Sequence, residues 1–237
     1  MTGLRRIFMR RKFLVATLGL LALGSTSQAQ VTFFEDFEGG FLPTNWLQQN
    51  NSVSPGTPWT QANRTTAISG LQSQYANANF GSTTVTTPTG GDISNWLITP
   101  LLTLSDGDQV SFWTASAGDF ADRLEVRWAT SGSSVGSTFS DVGDFMTVLT
   151  TINPTLDPNG YPTTWTNVAI PIAGIGSNVS GRLAFRYFVP DGGINGNNSN
   201  GIGIDGVTVM VAPEPVSGAL TLLTLPLAVL LRRKKSA

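Results

Sequence analysis

The sequence predicts an all-β fold for the middle of the chain, an antiparallel jelly-roll β-sandwich, with an apolar helix at either end. Three observations predict it. Apolar and polar residues alternate at period two in several short runs, the signature of strands with one buried face. Stretches rich in Gly, Asn, Ser and Pro separate these runs, as the connections of an all-β domain require. No stretch of the middle keeps an apolar stripe at helical period over three turns without a Gly, a Pro or a β-branched break.

Residues 1–29 read as an export signal. Arg5, Arg6, Arg10, Arg11 and Lys12 form a positive region, and Phe13 to Leu23 an apolar one. Ser27-Gln28-Ala29 then places small residues where a signal peptidase reads them, so the mature chain is expected to start near Gln30. The apolar run is short for a membrane anchor. Arg10-Arg11-Lys12-Phe13-Leu14 also resembles a twin-arginine signal, although no cofactor motif follows that would require folding before export.

The strands follow in order. Val31, Phe33 and Phe37 mark the first. Val110 and Phe112 alternate with Ser111 and Trp113, and Leu124, Val126 and Trp128 with Glu125 and Arg127. Leu183, Phe185, Tyr187 and Val189 alternate with Ala184, Arg186 and Phe188, and Val207, Val209 and Val211 make a last, β-branched strand. Turn-rich segments lie at 50–58, 81–92, 131–138, 153–162 and 191–201.

The last element, residues 213–237, reads as a second sorting signal. Pro213-Glu214-Pro215 precedes an almost wholly apolar run, Val216 to Leu231, and Arg232-Arg233-Lys234-Lys235 closes it. Helix rise gives the run about 24 Å, slightly short of a usual hydrocarbon core. The basic cluster is expected to stay cytoplasmic, which leaves residues 30–212 outside. A plain C-terminal transmembrane anchor is the simpler reading. Motif, helix and basic end together resemble the PEP-CTERM sorting signal of Gram-negative bacteria. That resemblance implies recognition and cleavage near the motif by an exosortase, and a host that secretes exopolysaccharide.

Composition excludes several classes. The 237 residues include no Cys and no His, so disulfides, thiolate metal sites and His-dependent triads are ruled out. The net charge of −1 conceals an uneven distribution. Residues 30–212 hold five Arg, no Lys and fourteen acids, a net of −9, and the basic residues of the two ends offset it. A domain of that sign repels nucleic acid and anionic membrane surfaces and is compatible with calcium.

The middle also resembles a choice-of-anchor J domain, related to cleaved-adhesin and MAM-like jelly rolls. The segments that carry the likeness include Phe34-Glu35-Asp36-Phe37-Glu38-Gly39-Gly40, Ser94-Asn95-Trp96-Leu97-Ile98-Thr99-Pro100, Arg182-Leu183-Ala184-Phe185-Arg186-Tyr187 and Gly201-Ile202-Gly203-Ile204-Asp205-Gly206-Val207. They run in family order from about residue 32 to 211; Gly206 departs from it, standing where many relatives carry a second Asp. The resemblance implies a structural calcium ion where the first and last strands meet, with Asp36, Glu38 and Asp205 at the matching positions. Calcium takes six to eight oxygen ligands, and side chains at i and i+2 share one strand face. The alternative reading makes Asp36 and Glu38 solvent-facing strand residues and Asp205 a turn or sheet-edge residue.

Other constellations are less specific. Asp119 with Asp122, and Asp141 with Asp144, are either a second cation site or turn caps. Two of fourteen acids at glycosidase spacing would occur by chance, and no compact acidic strand motif marks such a pair, so no enzyme is expected. Trp46, Trp59, Trp165 and Tyr161 sit in or beside loops, where an aromatic face can stack on a sugar ring; Trp59 and Trp165 are the candidate anchors. The sequence thus predicts an exported envelope or matrix protein, an adhesion module for polysaccharide or surface glycan. A carbohydrate-active enzyme and a ligand-free structural component are the alternatives.

Overall fold

The computed structural model describes residues 28–213, except 67, 69, 87 and 88. The signal at 1–27, Glu214, Pro215 and the predicted helix 216–231 lie outside the described residues. Pro213 falls within them and is exposed. Among the described residues no helix is long and apolar enough to cross a membrane.

Gln28–Pro213 form one compact unit of twelve strands in two antiparallel sheets. The strands are β1 (Gln30–Glu35), β2 (Leu47–Asn50), β3 (Thr60–Asn63), β4 (Gln74–Asn79), β5 (Gly91–Ile98) and β6 (Leu102–Leu104). They continue with β7 (Gln109–Ser116), β8 (Leu124–Ala129), β9 (Thr147–Ile152), β10 (Thr166–Pro171), β11 (Val179–Gly192) and β12 (Gly201–Val211). The first sheet runs β10-β7-β12-β4-β3, with β1 also paired to β12. The second runs β2-β5-β11-β8-β9, with β6 also paired to β11. The predicted antiparallel sandwich is the architecture found.

The predicted alternation sets the core. Val110 and Phe112 of β7 and Ile202, Ile204, Val207 and Val209 of β12 point inward from one sheet, and Leu183, Phe185, Tyr187 and Val189 of β11 from the other. Phe112 and Phe185 meet edge to face across the interface, ring centroids 5.1 Å apart. The inward set on β12 changes from even to odd residues at a bulge, where the register with β7 shifts between Asp205 and Thr208. Gly206 forms the bulge at φ 55°, and a Cβ there would lie 2.9 Å from Leu71, so the missing second Asp is sterically and conformationally disfavoured.

Two features depart from the sequence reading. Ala184 and Arg186, expected on a solvent face, are buried, because residues 130–146 fold over the outer side of the second sheet. Val135 and Phe145 pack there on Trp96 and Ile98. The Arg186 guanidinium lies 3.7 Å from the ring centroid of Phe188 and donates to Glu125 Oε2 at 3.2 Å. Strand β1 also stops at Glu35; Phe37 turns the chain at φ 57° and drops its ring into the core.

Candidate functional site

The first sheet's outer face is indented where β4, β12 and β7 run side by side. Ala76 and Ala78 of β4 face the core, so Tyr75, Asn77 and Asn79 face out. Beside them on β12 are Gly201 and Gly203, paired to Asn79 and Asn77 respectively, and Gly203 is paired to Ala115 of β7 on its other side. Three small residues in a row leave a floor with almost no side chains. Trp165, just before β10, closes one wall and meets Tyr75 edge to face at 5.0 Å. The result is a cleft of about 400 Å³ lined by aromatic rings, amides and the hydroxyls of Thr163, Thr164 and Ser116. That volume is in the range of small-ligand sites.

Gly203 is required for this shape. A Cβ on it would stand 2.6 Å from the Trp165 ring and 2.7 Å from Tyr75, so any side chain would displace both rings. The floor is held from inside. Thr114 donates to the Gly203 carbonyl at 2.7 Å and shares a hydrogen bond with the Tyr161 hydroxyl at 2.6 Å. Buried Asp122 accepts from the Tyr187 hydroxyl at 2.5 Å and from the Asn200 amide at 3.1 Å, which pins the cleft's other rim. Burial raises the Asp122 carboxyl above its usual range, and these hydrogen bonds act against the shift. A buried carboxylate with strong donors is thus a positioning device for the Asn200–Gly201 edge.

Of the two predicted aromatic anchors, only Trp165 lies here. Trp59 is 1% exposed and packs in the core, its indole N–H donating to the Asn95 carbonyl at 3.1 Å. It offers no face to a ligand, which corrects the sequence reading. Trp46 and Tyr161 are core residues as well. The sequence did not single out Tyr75, Asn77 or Asn79. Their strand, Gln-Tyr-Ala-Asn-Ala-Asn, alternates small with polar residues and lacks the large apolar residues that mark a strand.

The three predicted calcium ligands each have protein partners in the structure. Asp205 is fully buried and paired with Arg64, whose side chain is only 3% exposed. A guanidinium therefore already stands against the carboxylate that calcium would need. The other Asp205 oxygen accepts from the Gly206 amide at 2.7 Å. Glu38 accepts the Gln74 amide at 2.7 Å, and Asp36 accepts the Glu38 amide at 3.3 Å. Asp36 and Glu38 share no strand face, because β1 has ended before them. Burial pushes Asp205 up to about 6, with Arg64 pulling the other way. Among the described residues no three acidic side chains converge as a metal site would need. In the second acidic group Asp141 and Asp144 act as turn caps: Asp141 accepts the Ser137 and Thr138 amides at 3.0 and 2.9 Å, and Asp144 the Ser134 amide at 2.8 Å, whereas Asp122 is the buried carboxylate bonded to Tyr187.

A melting comparison tests this. With Arg64 in the cation's place, the full chain is expected to melt at the same temperature in millimolar calcium and in chelator. A calcium-dependent rise that Glu38→Gln removes would show a bound ion, since a ligand of the native state must stabilise it.

Arg64 also supports the cleft. Its guanidinium carbon lies 5.5 Å from the Trp165 ring centroid, so the buried ion pair backs the aromatic wall. Nε and Nη2 of Arg64 are buried and find no hydrogen-bond partner among the described residues.

No protein-family model matches the chain, and no curated protein matches its sequence. Solved structures match its fold. The K1 cleaved adhesin domain of Lys-gingipain from Porphyromonas gingivalis W83 is 22% identical, with a TM-score of 0.50 over 75% of this chain and 96% of that one. The K3 cleaved adhesin domain from the same source is 19% identical, with a TM-score of 0.51 over 76% and 98%. The K2 cleaved adhesin domain of Lys-gingipain is 18% identical, with a TM-score of 0.51 over 76% and 98%. This chain therefore has the β-sandwich fold of cleaved adhesin domains along nearly their whole length.

Proposed function

We propose that the protein is an exported, non-enzymatic binding module that holds surface or matrix glycan in the cleft between Tyr75 and Trp165. The cleft carries this reading: two aromatic rings meeting edge to face stand above a floor of small residues, with asparagine amides along it. Sugar rings present C–H faces that pack on aromatic rings, and their hydroxyls pair with amides and hydroxyls. The fold shared with adhesin domains agrees with an adhesive role but does not assign one.

The sorting part of the proposal rests on sequence. The 1–29 signal would deliver the chain across the inner membrane, where signal peptidase removes it. The 216–231 helix would then hold it until an exosortase acts at Pro213-Glu214-Pro215, leaving the domain on the outer surface or in the extracellular polysaccharide.

The test is a glycan array probed with the full chain and with Trp165→Ala. Removing a central aromatic anchor typically costs about 2 kcal/mol, roughly thirtyfold in affinity. Loss of that size, with an unchanged melting temperature, is the expected result. No glycan bound by the unaltered chain would remove the reading and leave a structural matrix component. Release of reducing sugar from a bound polysaccharide would make it an enzyme.

A further inference from the structure

The charge around the cleft narrows the ligand class, given that the cleft is a glycan site. Its lining contains no Asp, Glu, Lys, Arg or His. The cation nearest the aromatic wall is Arg64, which is buried behind Trp165 and already paired with Asp205. No lysine occurs anywhere in residues 30–212, and their net charge is −9. A chain carrying carboxylates or sulfates would have to surrender water from each anion with no cation to receive it. It would also approach against the field of the whole domain. Sites that recognise such anions place Arg or Lys in contact with them. An uncharged sugar chain meets neither obstacle, because its hydroxyls find Asn77, Asn79, Thr163 and Thr164 and its C–H faces find Tyr75 and Trp165.

We infer that the cleft binds neutral polysaccharide and excludes uronate- and sulfate-bearing chains. Specificity here comes from what the cleft lacks. An acidic ligand is rejected because no group compensates its desolvation, and this rejection costs the neutral ligand nothing.

Affinity electrophoresis of the full chain through gels containing single polysaccharides tests the inference. Neutral probes are laminarin, galactan and glucomannan; acidic probes are alginate, polygalacturonate and chondroitin sulfate. At least one neutral probe is expected to retard the protein equally at low and high salt, and Trp165→Ala is expected to release it. No acidic probe is expected to retard it. Thr163→Arg supplies a second variant at an exposed rim position. It adds the missing cation without touching the core and is expected to create salt-sensitive retardation by alginate.

Retardation of the unaltered chain by an acidic probe, abolished by Trp165→Ala, would overturn the inference while keeping the glycan reading. Retardation by a neutral probe that survives Trp165→Ala in a folded protein would put the site elsewhere and overturn both. No retardation by any probe would also remove both.

Discussion

Replacing Trp59 by alanine is expected to cost about 3–5 kcal/mol of folding stability, the range for deleting a buried large aromatic. For a domain of this size that is a fall in melting temperature of roughly 6–20 °C. Trp59 is 1% exposed and sits in the main core cluster with residues of both sheets, so truncation leaves a cavity the sandwich cannot close. The Asn95 carbonyl also loses its indole donor. Glycan affinity of the fraction still folded is expected to stay unchanged. Trp165→Ala should give the opposite pattern, near-normal melting and lost binding, because its ring is partly exposed on the outer face and outside the core. Thermal melts and binding isotherms on both variants separate the roles. Equal melting of Trp59→Ala and the unaltered chain, with binding lost only in the variant, would return Trp59 to the surface role its loop position predicts.

Arg64→Ala is the second large effect. It leaves the carboxylate of Asp205 buried with no counter-charge, and breaking a buried pair in this way costs about 3–5 kcal/mol. Here the loss has a functional side as well, since the guanidinium lies behind Trp165. Binding should weaken even under conditions where the variant is folded. Changing Arg64→Met and Asp205→Leu together removes both charges and keeps apolar volume, so most of the stability is expected to return. A double-mutant cycle in urea reads the coupling directly. Additive single losses would show that the two groups do not act as a pair. That result would reopen the position for a cation.

The strands with large inward side chains were legible because their pattern is local. β7, β8, β11 and β12 each announce a buried face through apolar residues two apart. The strand that builds the cleft was not. β4 turns alanines inward and amides outward, and polar residues in such a run read equally well as loop. Trp165 could be named as a candidate because it lies beside a loop. The same argument named Trp59, since adjacency to a loop does not say on which side of the sheet a ring falls.

What the sequence by itself determined is the all-β class, the strand runs with one apolar face and the acidic character of the middle. Each follows from residues a few positions apart or from simple counts. Tertiary structure alone decided that Arg64 meets Asp205, 141 positions away. It also decided that Asp36 comes close enough to raise the Asp205 carboxyl while Arg64 takes that carboxylate, that residues 130–146 bury Arg186, and that Tyr75, Gly203 and Trp165 converge on one cleft. Pairing in an antiparallel sheet joins distant segments, and which segments become neighbours depends on the whole register. A site made of side chains from three strands and a loop therefore has no local pattern from which to be read.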